Sequence, residues 1–273
     1  MPSILPAKKS LSQNFLVNPG MQKKVITQMK EVFDRTPSLP IIEVGPGQGD
    51  LTQYMIDFGP KVIALEIDSR AVELLNTKFV DHPNLEVLEI DALEEIAKPK
   101  ELLNHPEFTF LSNLPFNVGS RILVDLPIHY PMVNLAVIVQ LEVAQKINPK
   151  LTKPTFFGTW IGLFWETKIK FHIKPNNFLP VPKVDCAMFV GISRNLQAES
   201  WLDSPEKRLL AREILKSLFH SPRKSMANNL KTAGWSGEEI TGIYEKFELD
   251  VNTRLEWDNY KQLLQILVES RVV

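Results

Sequence analysis

Short apolar runs alternate with amphipathic stretches along the first two-thirds of the chain. The runs Ile41–Val44, Val62–Glu66, Leu85–Ile90, Phe108–Ser112, Leu135–Gln140 and Ala187–Ile192 are rich in aliphatic and β-branched residues and predict strands. Between them, Met21–Phe33, Leu51–Phe58, Arg70–Phe79, Ser120–Asp125 and Glu142–Ile147 read as helices. Strands alternating with helices predict an α/β fold, a mostly parallel sheet covered on both faces. Thr155 to Ile173 is aromatic and β-branched and reads as a strand pair. After Arg194 the pattern changes. Leu209, Leu210, Ile214, Leu215 and Leu218 recur at helical spacing, as do Leu263, Leu264 and Leu267. Ser204-Pro205 looks like an N-cap with proline at the first helical position. The chain therefore divides into an α/β domain over residues 1–194 and a small all-helical domain over 195–273, with the boundary in the polar stretch from Ser193 to Ser204.

Composition narrows the class. In 273 residues, 44% hydrophobic and 23% charged content excludes a disordered chain. The longest apolar runs, such as Leu135 to Val139, are too short to cross a bilayer, so no membrane role is expected. Met1 to Ser10 carries Lys8 and Lys9 but no apolar core and does not read as a secretory signal. Cys186 is the single cysteine, which excludes an intramolecular disulfide and fits a reducing compartment. His82, His105, His129, His172 and His220 lie far apart, and none has zinc-type spacing to Cys186, so no metal site is expected. Charge is uneven. Residues 1–30 hold Lys8, Lys9, Lys23, Lys24 and Lys30 and no acid. Residues 207–231 hold Lys207, Arg208, Arg212, Lys216, Arg223, Lys224 and Lys231 against Glu213 alone. The net charge of −1 thus hides two basic segments on an acidic body, which suits a polyanion-binding face or, more simply, two solvated helix faces.

The chemistry concentrates at strand ends. The first predicted strand runs into Glu43-Val44-Gly45-Pro46-Gly47-Gln48-Gly49-Asp50, where close glycines let the backbone pass near a ligand. The spacing is G-x-G-x-G rather than the G-x-G-x-x-G of dinucleotide folds, which favours a ligand with no pyrophosphate; the plainer reading is a glycine-rich turn. The second strand ends at Glu66, placed to accept hydrogen bonds from a ribose diol, with Asp68 close by as a surface carboxylate. The third ends at Asp91, placed for an adenine amino group. The fourth ends in Ser112-Asn113-Leu114-Pro115-Phe116-Asn117. Proline biases Leu114 to an extended conformation, so its carbonyl points outward. The Asn113 side-chain oxygen adds a second acceptor and Phe116 a flat face, a set that fits a planar base with an exocyclic amine. The plainer alternative is a turn in which Phe116 is core.

Together these stretches resemble the S-adenosylmethionine-dependent adenine N6 methyltransferases of ribosomal RNA, and among them the small-subunit rRNA adenine dimethyltransferase family. Lys8-Lys9-Ser10-Leu11-Ser12-Gln13-Asn14-Phe15-Leu16 is similar to its N-terminal signature, Glu43 to Thr52 to its cofactor loop and Asn113 to Asn117 to its catalytic motif. Gln140 to Ala144, Phe178 to Asp185, and Ser221-Pro222-Arg223-Lys224-Ser225 with Asn228-Asn229-Leu230 continue the match. The resemblance implies a Rossmann-like class I methyltransferase domain followed by a helical RNA-binding domain. It implies S-adenosyl-L-methionine as cofactor, contacted by Asn14, Leu16, Gly45, Glu66, Asp91 and Asn113. It implies a catalytic turn of Asn113, Leu114 and Phe116, and RNA contacts from Arg223 and Lys224. The implied reaction is dimethylation of two adjacent adenines near the 3′ end of small-subunit rRNA, on a late assembly particle, by a cytoplasmic monomer with no metal. Ser12, Phe116, Gly119-Ser120-Arg121 and Lys153 to Gly158 depart from the usual pattern. Competing readings are a large-subunit rRNA methyltransferase of the antibiotic-resistance type, a non-catalytic assembly or transcription factor on the same fold, and a nicotinamide-dependent dehydrogenase.

Overall fold

Runs of Ile, Val and Leu bounded by glycine and proline form strands buried on both faces, the signature of a sheet sandwiched by helices. The computed structural model describes residues 5–8, 11, 13–100, 102, 105–147, 155–194, 200–221, 224–246, 248 and 257–271. In chain order the first elements are β1 (Phe15–Leu16), α1 (Pro19–Phe33), β2 (Ile41–Val44), α2 (Thr52–Met55), β3 (Val62–Glu66), α3 (Ser69–Lys78), β4 (Leu85–Glu89) and α4 (Ala92–Ala97). Then follow β5 (Thr109–Asn113), α5 (Gly119–His129), β6 (Asn134–Gln140), α6 (Leu141–Ile147), α7 (Phe156–Phe164), β7 (Trp165–Ile173), β8 (Phe178–Leu179) and β9 (Cys186–Ser193). The last are α8 (Pro205–Leu218), α9 (Met226–Thr232), α10 (Gly237–Lys246) and α11 (Trp257–Glu269).

The chain forms two units, Met1–Asn148 with Phe164–Arg194, and Pro149–Leu163 with Asn195–Val273. The first holds a seven-stranded sheet in the order β4-β3-β2-β5-β6-β9-β7. Strands β4 through β6 are mutually parallel, and β9 runs antiparallel to both β6 and β7. The chain steps from β2 outward to β3 and β4, then returns to β5 on the other side of β2. Order reverses between β2 and β5, and the loops leaving their carboxyl ends part there to open a crevice. Helix α1 covers one face. Asn18 caps it, its side chain accepting from Met21 N at 2.9 Å, and Pro19 occupies the first turn. Its apolar stripe of Val25, Met29, Val32 and Phe33 packs with Ile41, Ile138 and Met188 in the core.

The strand pair expected over Thr155 to Ile173 is half helix. β7 accounts for Trp165–Ile173, but Phe156–Phe164 is α7. The segment FFGTWIGLF is apolar all round, and such a run suits a buried helix as well as a strand. Thr155 Oγ1 accepts from Gly158 N at 2.9 Å and starts the helix. In the second unit Ser204 caps α8 through Lys207 N at 3.3 Å, with Pro205 its first residue. Among the described residues no helix is long and apolar enough to cross a membrane.

Candidate functional site

The glycine loop leaves β2 at the crevice. Gly45 and Gly47 hold φ of 65° and 57°, left-handed values that cost an L-residue about 1 kcal/mol. A Cβ on Gly45 would lie 2.9 Å from Pro115, and one on Gly47 would lie 2.6 Å from the Phe15 ring. The loop is therefore squeezed between the Asn113–Phe116 turn and the N-terminal segment, and only glycine leaves room.

Glu66 ends β3 and is buried. Its Oε2 accepts from Gly47 N at 3.1 Å, and its Oε1 accepts from Ile67 N and Asp68 N at 2.9 Å each. Burial pushes its carboxyl up, and the three backbone donors oppose that. By lone-pair count, Oε2 keeps one acceptor site. Asp91 caps α4, with Oδ1 accepting from Leu93 N at 2.8 Å. Glu43, which the motif reading did not single out, sits in β2 and is 2% exposed. Thr52 Oγ1 donates to it at 2.7 Å. Burial, with further push from Glu66 and Asp50, raises its pKa to about 8. An acid inside the otherwise apolar Ile41–Val44 was the available signal.

Asp68 corrects the sequence expectation. It is buried, not a surface carboxylate. Its side chain receives the neighbouring Arg70 and also Lys8 and Gln13, two groups that a local reading cannot place around it. The Arg70 guanidinium holds its carboxyl well below the usual carboxylate range.

Asn113 is the last residue of β5. Its Nδ2 donates to Asn14 O at 3.0 Å. Its Oδ1 is buried and, among the described residues, has no donor. Leu114 N bonds Ile138 O at 3.1 Å, while among the described residues the Leu114 carbonyl accepts nothing. Gly119 N and Val118 N both turn back to Pro115 O and start α5 beyond the turn. Phe116 is half-buried, packs on the core cluster and also lines the cleft.

The N-terminal segment crosses the cleft. β1 pairs antiparallel with β8, Phe15 opposite Leu179 and Leu16 opposite Phe178. Val17 N extends the pairing to Asn177 O at 2.9 Å, and Gln22 Nε2 donates to Leu16 O at 2.5 Å. The cleft is partly open to solvent, with a cavity of about 170 Å³, and Asn14, Leu16, Gly45, Glu66, Asp91, Asn113, Leu114 and Phe116 all line it. Eight positions singled out in the sequence, from five separate stretches, thus meet in one cleft, joined by Glu43, Gln13 and Phe15.

The basic segments are thinner than their composition. Lys8 pairs with Asp68, and Lys30 with Asp34. In the second unit, Lys207 pairs with Asp203, just ahead of the basic stretch. Arg208 is buried and donates to Leu202 O at 2.6 Å, a structural role rather than a polyanion contact. Asn229 Nδ2 ties the turn after α8 by donating to Leu218 O at 3.0 Å and Ser221 O at 3.1 Å. Lys224 is exposed on that turn. Arg223, Pro222, Lys9, Ser10, Ser12, Lys153 and Pro154 lie outside the described residues. Among the described residues no group of three or more His, Cys, Asp or Glu is arranged to hold a metal ion.

The geometry can be set beside known proteins. A Mycoplasma capricolum protein named ribosomal RNA small subunit methyltransferase A is 28% identical over 97% of this chain and 99% of its own length. A Bartonella tribocorum protein of the same name is 32% identical over 92% of this chain and 88% of its own. Among solved structures, a Plasmodium falciparum dimethyladenosine transferase superposes with a TM-score of 0.70 at 21% identity, covering 93% of this chain and 98% of that one. The 23S rRNA methyltransferase ErmE gives 0.63 at 23% identity, with the same coverages of 93% and 98%. These two establish the fold and do not separate small-subunit from large-subunit substrates. The sequence pattern of the ribosomal RNA adenine dimethylase family matches residues 4–270, and with the cleft built from its motifs this chain belongs to that family.

Proposed function

We propose that the protein transfers methyl groups from S-adenosyl-L-methionine to the N6 amine of adenine in small-subunit rRNA, dimethylating two adjacent adenines near the 3′ end during ribosome biogenesis. The observation that carries this reading is the Asn113–Leu114 pair of acceptors: among the described residues, a buried amide oxygen with no donor and a carbonyl that accepts nothing, on two adjacent residues that both line the cleft. A buried acceptor left open costs about 1–3 kcal/mol, which the fold carries where a ligand is to supply the donor.

The cleft fits the cofactor on its own geometry. Left-handed glycines bring the loop backbone against Pro115 and Phe15 where a Cβ would strike them, so bare backbone lines the cleft there, and two carboxylates stand at successive strand ends. Gly45 would pass beneath the ligand, Glu66 would hold the ribose and Asp91 the adenine amine, with Asn14 and Leu16 touching it from the N-terminal segment. When bound, S-adenosyl-L-methionine supplies a methyl group activated by its sulfonium. The rest falls to the chain. The target amine is a weak nucleophile because its lone pair is delocalised into the ring. Asn113 Oδ1 and Leu114 O draw its hydrogens away from the ring plane and favour a tetrahedral nitrogen. Phe116 stacks on the base and holds it. The nitrogen is never strongly basic, so oriented acceptors suffice and no charged base is required: the proton that each newly methylated, cationic nitrogen must shed passes by way of these acceptors to solvent water, and positioning and electrostatic fit supply the rate. A paired base cannot reach the turn, so the target is extruded or unpaired.

Residues 1–194, apart from the 149–163 stretch that groups with the helical unit, form the catalytic domain and 195–273 the RNA-binding domain, with Arg223 and Lys224 on phosphates. The enzyme acts as a cytoplasmic monomer on a late assembly particle. Incubating it with unmodified small and large subunits, then mapping products by primer extension and nucleoside mass spectrometry, tests the reading. The expected product is N6,N6-dimethyladenosine at two neighbouring small-subunit positions. Methylation confined to large-subunit RNA, or none, refutes it.

A further inference from the structure

Asp68 lies outside the cleft lining yet holds parts of its wall and its cover. Its backbone N–H donates to Glu66 Oε1 at 2.9 Å. Its carboxylate, fully withdrawn from solvent, receives Lys8 Nζ at 3.0 Å and Gln13 Nε2 at 3.2 Å. Arg70 closes on it from the other side with Nε at 3.0 Å and Nη2 at 2.7 Å, while Arg70 N, at 3.4 Å, takes the N-cap bond of α3. Arg70 Nη2 also reaches Pro6 O at 3.4 Å. Beyond Gln13 the same segment gives the Asn14 carbonyl that accepts from Asn113, and the Phe15 ring seated on Gly47.

Capping α3 needs one acceptor, and Ser or Asn would serve. The donors from Lys8 and Gln13 come instead from 60 and 55 residues away, and both belong to the segment that covers the cleft. The Arg70 fork is local and stays with Asp68 if that segment leaves. A buried carboxylate is costly only when it loses all its partners. Here release of the segment leaves it paired, so the contact can open and re-form.

We infer that Asp68 is a positioning residue for cofactor retention: its carboxylate latches the N-terminal segment through Lys8 and Gln13, keeping Asn14, Phe15 and Leu16 over the ligand. The inference rests on the cofactor reading above and deepens it. Losing the latch lowers the fraction of protein with its cover in place, and apparent affinity falls by that fraction.

The test is calorimetric titration of the full chain with S-adenosylhomocysteine, beside steady-state kinetics and limited trypsin digestion. Lys8→Met leaves the Asp68–Arg70 pair and the α3 cap intact; it is expected to weaken the probe about threefold, and Asp68→Asn about tenfold. The cofactor KM rises in step while kcat at saturation stays within about twofold, because the cover acts on binding and not on the acceptors. The double variant is expected to bind no more weakly than Asp68→Asn, since both changes break one latch. The probe slows tryptic cleavage in the N-terminal segment of the parent and fails to do so in Asp68→Asn. Parent-like affinity in Lys8→Met and Asp68→Asn, or full additivity in the double variant, overturns the latch. A parent that does not bind the probe overturns the cofactor reading itself.

Discussion

Replacing Asn113 with alanine separates what the residue does for the fold from what it does for the reaction. Three side-chain heavy atoms are removed, Cγ, Oδ1 and Nδ2, and the last two are the polar ones. Nδ2 gives up one hydrogen bond to Asn14 O, worth about 1 kcal/mol net. Oδ1 has no donor, so its removal relieves a desolvation cost of about 1–3 kcal/mol. The sum predicts a folded protein as stable as the parent or slightly more so. In this variant cofactor affinity is touched through the lost Asn14 hydrogen bond and falls by about fivefold at most. The reaction loses an acceptor whose hydrogen bond strengthens as the target nitrogen turns tetrahedral. Groups of that kind are worth about 10²–10³ in rate. The assay is a single-turnover methyl transfer at saturating cofactor with RNA already bound, paired with urea denaturation. Asn113→Asp sharpens it: the acceptor stays, but a carboxylate oxygen then faces the Asn14 carbonyl, so cofactor affinity suffers more than in the alanine variant. A single-turnover rate for Asn113→Ala within about threefold of the parent would refute the reasoning, as would a loss of stability above about 2 kcal/mol.

Phe116→Ala should cost about 1–2 kcal/mol of stability, because the ring is only half-buried, and should slow single turnover, whereas Phe116→Tyr should keep the parent rate; an unimpaired alanine variant removes the stacking role. The raised pKa of Glu43, about 8 against an ordinary 4.5, means that between those values the folded state holds a proton the unfolded state has released. Stability then falls as pH rises through that window, by at most about 1.4 kcal/mol per pH unit, and Glu43→Gln flattens the fall; parallel urea-denaturation curves for the two proteins from about pH 5 to 8 would contradict the assignment. Arg223→Ala with Lys224→Ala should weaken RNA binding and shrink the log–log salt slope by about 0.7–0.9 for each phosphate left without its cation; an unchanged slope marks the cluster as solvated surface.

The α/β core and most of the cleft could be read from the chain because their signals are local. A strand needs only a short run rich in apolar and β-branched residues, and Ile41–Val44, Val62–Glu66 and Phe108–Ser112 supply such runs. Glycine and proline then mark where each strand must stop, and a parallel sheet gathers those stops along one edge. Gly45, Glu66, Asp91 and Asn113 follow from that rule, without knowledge of any tertiary neighbour.

What escaped depends on partners far along the chain. β1 and β8 are two residues each, too short to show a period, and exist only because they pair across more than 160 positions. The segment FFGTWIGLF is apolar in every direction, so nothing in it selects helix over strand; its buried surroundings made that choice. Asp68 looks like any loop carboxylate until Lys8 and Gln13 arrive beside it. Arg208 counts as a cation in the sequence and is a buried tie in the fold. The amide of Asn113 was expected to accept, but only the folded chain leaves its oxygen enclosed and unpaired while turning its nitrogen to Asn14. Sequence determines which residues a strand or turn can hold, since those preferences act over a few neighbours. Burial, pairing and the state of a proton are set by whatever else is brought within a few ångströms, and that is decided by the tertiary fold alone.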